Sequence, residues 1–164
     1  MRFFDKHKDL GLLLIRLGLG ITFVTVHGWP KLFGGPNVWA RYGNAMGNLG
    51  IDFYPEFWGF MAGFTEFAGG LLLIFGLFVR PASAFISFVL IVAITQHFVR
   101  LDPWNRVIYP IEMLSVFLAF VFIGAGRYSL DYFISKRKKT IPLSPSQYDK
   151  TVPIEPLPKS QAHV

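Results

Sequence analysis

The hydrophobic positions of this chain fall into four long runs that are separated by polar or glycine- and proline-rich segments. Residues 10–26 form a 17-residue run with Arg16 inside it, and later runs begin at Pro55 and Pro81. Runs of this length suit helices that cross about 30 Å of hydrocarbon, and proline suits the first turn of a helix. We therefore predict an all-α membrane protein, a four-transmembrane-helix bundle. Its expected spans are about 10–29, 55–79, 81–99 and 106–123.

The lysines and arginines near the ends of these spans are unevenly distributed. Nine lie on the side of the two termini and four lie on the other side. Because positive residues accumulate on the cytoplasmic side, we expect both termini and the turn at 79–81 to be cytoplasmic. The loops at 34–54 and 100–105 are then external. No small-residue cleavage site closely follows the first span, so we expect this span to be a retained anchor.

The segments outside the spans differ in composition. The first external loop is rich in glycine, asparagine and aromatic residues, and we expect a short interfacial helix in it, capped by Asn37 and running through Met46, that would act as a lid. Residues 1–135 are predicted to form the transmembrane domain. Residues 136–164 are basic and then proline-rich, which predicts an extended cytoplasmic tail, either disordered or binding a neighbouring membrane-complex subunit.

Composition supports the bilayer as the solvent and excludes several classes of site. Apolar residues make up 52% of the 164 residues, and the mean hydropathy is +0.44. The chain has no cysteine, which excludes disulfides, thiolate metal sites and iron–sulfur clusters within it, and we expect no metal site. Topology and anionic lipid headgroups explain the net charge of +6, so we expect no nucleic-acid binding.

Five ionisable residues in the spans can be placed by depth. An ionisable group inside a span costs at least about 2.5–3.5 kcal/mol, so each one needs a partner or a function. At about 1.5 Å per residue, Arg16 lies about 9 Å above the cytoplasmic end of its span and His27 about 25 Å above it. His97 and Glu112 come to a similar level near the external face, with Glu66 about 20 Å up, close beneath it.

The helical periodicity indicates which sides of the spans face protein. Arg16, His27 and Lys31 follow one stripe of the first span, although Pro30 is expected to break the helix before Lys31. In the second span, Glu66 shares a stripe with three glycines, Gly59, Gly63 and Gly70, which permit close helix packing. Glu112 shares its side of the fourth span with Ser115 and Ala119. We therefore expect the bundle to enclose Arg16, Glu66, His97 and Glu112, with His27 above them.

Each polar residue has a structural and a functional interpretation. Arg16 either has a structural role, by snorkelling or by pairing with Glu66 or Asp131, or takes part directly in function. Glu66 is either a buried partner of Arg16 or His97, or a carboxylate that handles protons. His27 and His97 are interfacial hydrogen-bonding groups, line a polar ligand pocket, or ligate a haem b. The candidate catalytic residues are Glu66 and His97; the candidate ligand-binding residues are Arg16, His27, Lys31, Glu66, His97 and Glu112.

Four motifs resemble the DoxX family of small four-span membrane proteins. They are "LLLIRLGLGITFVTVHGWPKLFGG", "TEFAGGLLLIFGLFVRPAS", His97 at the end of the third span, and "GAGRYSLD" after the fourth. The resemblance covers roughly residues 10–131. It implies a common four-span fold and selects Arg16, His27, Gly28, Lys31, Glu66, Gly69, Gly70, Gly76, Arg80, His97, Gly126 and Asp131.

The resemblance implies several activities. Some relatives are described as membrane subunits of thiosulfate:quinone oxidoreductase or quinol-oxidase systems, and others are associated with oxidative-stress complexes or cofactor maturation. Our first hypothesis is a redox-linked inner-membrane subunit whose outward-facing pocket binds a quinone headgroup. In it, imidazole and carboxylate groups exchange protons with the quinone oxygens, and Lys31 or Arg16 stabilises negative charge there. The alternative is a non-catalytic accessory or assembly subunit. Solute conduction ranks last, because broken mid-membrane helices and inverted repeats are missing from the sequence.

Overall fold

The computed structural model describes the backbone of residues 2–139 and the side chains of residues 7–137. The described residues are helical or in short connections, with no strand. In chain order the elements are α1 (Arg2–Thr22), a π-helical turn (Phe23–Gly28), α2 (Trp29–Leu32), α3 (Pro36–Gly43), a 3₁₀ turn (Asn44–Leu49), α4 (Pro55–Phe75), α5 (Val79–Val99), α6 (Trp104–Ile123) and α7 (Leu130–Lys139).

Four helical segments are long and apolar enough to cross a membrane, as the hydrophobic runs predict. They are His7–Leu32, Pro55–Phe75, Val79–Val99 and Trp104–Ile123. The first is continuous through α1, the π-helical turn and α2. The four-transmembrane-helix bundle expected from the sequence is therefore confirmed.

The first span continues through Pro30 to Leu32 and does not end at Trp29. Proline lacks a backbone N–H and would leave a carbonyl of the preceding turn without its donor. Here the helix widens just before the proline, and the N–H of Trp29 donates to the carbonyl oxygen of Val24, five residues back. The π-helical turn thus accommodates Pro30 and keeps Lys31 on the same helix.

The turn between α4 and α5, expected to be cytoplasmic, begins and ends at other residues than the sequence predicts. The second span ends at Phe75, where Gly76 adopts a left-handed conformation with φ of +66°. The third begins at Val79, because the Asp131 carboxylate accepts the N–H groups of Phe78 and Val79 at 2.9 and 3.1 Å. A carboxylate at this position also stabilises the N-terminus of α5.

The first external loop contains the expected short helix, divided into α3 and the 3₁₀ turn. Its N-cap is Gly35, and the first helical position is Pro36, so the expected capping by Asn37 is wrong. The indole Nε1 of Trp39 donates to the carbonyl oxygen of Lys31 at 2.8 Å and fastens α3 to the end of α2. At the other end of the chain, α7 extends to Lys139, and the proline-rich part of the predicted tail lies outside the described residues.

Glycines bring α4 against the first span. The stripe predicted from the sequence, Gly59, Gly63, Glu66 and Gly70, is buried on α4. At Gly63 an added Cβ would lie 2.9 Å from the Cβ of Lys31, which shows how closely α2 approaches α4. Close packing by small residues is a common way to join helices in lipid, where no hydrophobic force drives them together.

Gly28→Ala should disrupt this packing, whereas Gly18→Ala should not. A Cβ at Gly28 would lie 2.5 Å from the backbone nitrogen of Phe67, while one at Gly18 meets nothing within 4 Å. Overpacking typically costs about 1–3 kcal/mol, and alanine in place of an interior helical glycine stabilises by about 0.5–1 kcal/mol. Thermal unfolding of the two purified variants measures the difference. Equal melting temperatures would show that this helix contact is not tight.

Candidate functional site

Arg16 lies towards the expected cytoplasmic end of the bundle and is fully buried. Its Nη1 donates to the carbonyl oxygen of Ala125 at 2.8 Å, and its Nη2 donates to that of Tyr128 at 2.6 Å. These bonds hold the segment after α6 against α1. Of the roles considered for Arg16, the structure supports a structural one, although the guanidinium binds backbone carbonyls in place of the expected carboxylate of Glu66 or Asp131.

A cavity of about 630 Å³ lies near the opposite, expected external, end of the bundle. Residues of the π-helical turn, α2, α4, α5 and the start of α6 line it, and α3 and the 3₁₀ turn contribute Tyr42 and Met46. Four of the six predicted ligand-binding residues, from three different spans, meet in this cavity: His27, Lys31, Glu66 and His97. The polar lining groups are His27, Lys31, Arg41, Tyr42, Thr65, Glu66, Gln96, His97, Arg100, Arg106 and Tyr109.

Lys31 and Glu66 form a short ion pair beside the cavity. The Lys31 Nζ donates to the Glu66 Oε1 at 2.6 Å, and the two side chains are 16% and 4% exposed. The same ammonium lies 4.8 Å from the ring centroid of Tyr42. The second carboxylate oxygen, Glu66 Oε2, is buried and has no hydrogen-bond partner among the described residues. The pair is therefore balanced in charge but leaves one strong acceptor unused.

His27 is held on the π-helical turn by a tyrosine of α6. Its Nε2 and the Tyr109 hydroxyl are 3.1 Å apart, and the two rings stack with centroids 5.8 Å apart. Sequence reasoning missed Tyr109, although its position six residues into α6 gives it the depth of a group in the outer half of the span. Applying the depth criterion to tyrosine hydroxyls as well as to charged groups would have found it.

His97 lines the cavity at its expected external rim, and one of its ring nitrogens, Nδ1, is directed to the loop that follows α5. Its Nδ1 lies 2.8 Å from the Asp102 Oδ2 in the loop that follows α5. The other oxygen of Asp102 lies 3.8 Å from Arg106 at the start of α6. The partner of His97 is thus a loop carboxylate, and the expected pairing of Glu66 with Arg16 or His97 is replaced by its pairing with Lys31.

Glu112 is exposed and lies outside the cavity, so the expectation that the bundle encloses it is wrong. The side of α6 that packs against the other helices contains Val107, Pro110, Phe117 and Phe120. Glu112 is five residues from Phe117, which rotates it about 140° away from the core at 100° per residue. Ser115 and Ala119 are exposed on the same outer side.

Comparisons with known proteins identify a family and two relatives to which the chain is similar. The sequence model of the family described as DoxX matches residues 11–99. "Inner membrane protein YqjF" of Escherichia coli (strain K12) is 30% identical over 136 residues, which are 80% of this chain and 98% of YqjF. "Putative oxidoreductase CatD" of Bacillus subtilis (strain 168) is 27% identical over 135 residues, 82% of this chain and 95% of CatD. No solved structure matches the chain.

The part of the chain that the family model matches contains most of the polar cavity. His27, Lys31, Glu66 and His97 lie within residues 11–99, whereas Tyr109 lies after them. The Lys31–Glu66 pair and the two histidines therefore belong to the matched region of the chain.

Proposed function

The chain belongs to the DoxX family of membrane proteins, and on this basis we propose that it is a subunit of a redox-linked membrane complex that binds a quinone headgroup in its cavity. It is an integral membrane protein of the bacterial inner membrane. In the proposal, the cavity faces outward and the basic and proline-rich tail contacts other subunits of the complex.

The observation that carries the proposal is the unused acceptor of Glu66. A buried acceptor without a hydrogen bond costs about 1–3 kcal/mol, so a fold that keeps one needs a reason for it. Glu66 Oε2 is such an atom, and its residue lines a cavity large enough for a ring-shaped headgroup. A hydroxyl of a reduced quinone would donate to this oxygen.

The neighbouring groups provide complementary chemistry for the oxidised headgroup. Lys31 uses one N–H on Glu66 and keeps two more, and the Tyr109 hydroxyl can donate as well. These donors suit the carbonyl oxygens of a quinone. Oxidation of a quinol releases two protons and two electrons; in the proposal Glu66 accepts one proton directly, and His27 accepts the other through the Tyr109 hydroxyl, which lies 3.1 Å from its Nε2. The electrons pass to a partner or a bound cofactor, since the chain has no cysteine and carries no side-chain redox centre.

One of the two relatives supports the redox part of the proposal by its name, and the other supports the location. CatD of B. subtilis is called a putative oxidoreductase, and YqjF of E. coli is called an inner membrane protein. Haem b is left out of the proposal, because the Nε2 of His27 is held by the Tyr109 hydroxyl.

Glu66→Gln should weaken binding of a short-tailed quinol while Glu56→Gln leaves it unchanged. Glu56 lies on the same helix, is exposed and does not line the cavity, so it is a matched control. A hydrogen bond to a charged group is worth about 1.5–3 kcal/mol, which predicts at least about a tenfold rise in Kd. Titration of each variant in lipid nanodiscs measures it.

Tyr109→Phe serves as a second variant, because it removes one hydroxyl and leaves the Lys31–Glu66 pair intact. It should also raise Kd. Failure of the wild type to bind quinol saturably, or equal Kd values for wild type, Glu66→Gln and Tyr109→Phe, would contradict the proposal.

A second candidate function is that of a non-catalytic accessory subunit. It is favoured by the Lys31–Glu66 pair, which joins α2 to α4, and by Arg16, which joins α1 to the segment after α6. If these residues serve only to assemble the bundle, Glu66→Gln lowers stability without a saturable ligand ever being found.

A further inference from the structure

The cavity has an apolar half that the proposed headgroup chemistry does not use. Phe57 and Met61 of α4, on the expected external side of Glu66, and Phe85, Phe88 and Val89 of α5 line it. Phe57, Phe85 and Phe88 are also 53%, 67% and 50% exposed on the outer surface of the bundle. Since one set of residues borders both the cavity and the lipid-facing surface, the cavity reaches the bilayer between α4 and α5.

The gap between α4 and α5 is bounded towards the cytoplasm by a close contact. At Gly69 an added Cβ would lie 2.7 Å from the Cδ1 of Ile86 and 3.9 Å from the carbonyl oxygen of Ala82. The two helices therefore touch in their cytoplasmic halves. Farther out, residues of both helices line the cavity between them.

The external end of the same gap is filled by the loop. Ala45 and Met46 of the 3₁₀ turn are buried and pack against Val92 of α5, with Ile51 and Trp58 beside them. This cluster lies between the cavity and the expected external side. The opening towards lipid therefore extends from the contact between Gly69 and Ile86, on its expected cytoplasmic side, to the 3₁₀ turn, on its expected external side.

We infer that the cavity is filled sideways from the bilayer through a portal between α4 and α5, and that its ligand is an amphiphile with a long apolar tail. This inference rests on the proposed function, and it identifies the quinone as an isoprenoid quinone that is dissolved in the bilayer. The tail lies along Phe85 and Phe88 while the headgroup reaches Glu66. Along α5, Phe85 and His97 are 12 residues apart, about 18 Å, so the lined length of the cavity exceeds that of a headgroup alone.

Photolabelling of the reconstituted protein tests the portal. One quinone probe has a diazirine on the headgroup, and a second has it on the tail. We expect the headgroup probe to label residues near Glu66, and the tail probe to label α5 near Phe85 and Phe88. Unlabelled long-tailed quinone should compete with both.

A matched pair of variants on α5 provides the control. Val89→Trp places a bulky ring in the portal, whereas Val99→Trp makes the same change on the same helix at an exposed position outside the cavity. Val89→Trp should remove most of the tail labelling and Val99→Trp should not. Labelling by a tail-less headgroup probe should persist in both variants, which shows that the polar end is intact.

The outcomes separate this inference from the proposed function. Competable headgroup labelling near Glu66, with tail labelling on α3 or unaffected by Val89→Trp, overturns the portal and leaves the quinone site standing. Tail-probe labelling of the portal that a phospholipid displaces and quinone does not supports the portal but overturns the quinone. Absence of competable labelling by either probe overturns both.

Discussion

Lys31→Met is expected to destabilise the protein by about 3–5 kcal/mol, because it leaves the Glu66 carboxylate buried and unpaired. Glu66→Leu should cost somewhat less, because the ammonium that it leaves unpaired is only partly buried. The Glu66 side chain is 4% exposed, the Lys31 side chain is 16% exposed, and the ion pair is 2.6 Å long. The double variant Lys31→Met/Glu66→Leu replaces the pair by apolar groups of similar size. Such replacements are often neutral, so its stability should return close to that of the wild type.

A double-mutant cycle measured by unfolding in a fixed lipid and detergent mixture yields the coupling energy of the pair. We expect a large favourable coupling. If the losses of the two single variants simply add in the double variant, the ion pair does not exist in the folded protein. Glu56→Gln is again the control, since this carboxylate is exposed at the start of α4.

Arg16→Met is expected to cost about 3 kcal/mol, because it leaves the buried carbonyl oxygen of Ala125 and the part-buried one of Tyr128 without donors, at about 1–3 kcal/mol for a fully buried group. Arg16→Lys should lose part of the same energy, since one ammonium cannot reproduce the planar fork that reaches both Ala125 and Tyr128. Thermal unfolding measures both variants. Limited proteolysis of the segment after α6 should also become faster.

Arg127→Met is the matched control for Arg16. Arg127 is 73% exposed in its side chain and lies 3.5 Å from Asp9. Exposed ion pairs contribute at most about 1 kcal/mol, so this variant should unfold near the wild-type temperature. Equal losses for Arg16→Met and Arg127→Met would show that the carbonyl contacts of Arg16 are not what holds the segment.

The elements that could be predicted are those that follow from length and periodicity. Four runs of nearly 20 apolar residues permit few alternatives to four spans, and the glycine stripe on α4 indicates its protein-facing side. Depth along straight helices correctly brought His27, Glu66 and His97 to one cavity. These inferences need only the rise per residue and the side of each helix.

The partners of the polar groups could not be predicted. A π-helical turn does not follow the regular periodicity, so nothing in the pattern showed that Lys31 would stay on its helix past Pro30 and reach Glu66. The acceptors of Arg16 are backbone carbonyls, which carry no sequence signal. The outward side of α6 has the same small and polar residues as an inward one, and Glu112 was misplaced for that reason.

The quinone content of the protein in its own membrane lipid tests the central claim most directly. Wild type and the double variant Lys31→Met/Glu66→Leu are extracted with a polymer that keeps native lipid, and bound quinone is measured by mass spectrometry. The double variant keeps the four-helix bundle but removes the Glu66 carboxylate, the acceptor in the cavity, and the Lys31 ammonium, the donor in the cavity. We expect stoichiometric quinone with the wild type and only the background of empty discs with the folded double variant. Equal quinone in both, or none above background in the wild type, would contradict the account.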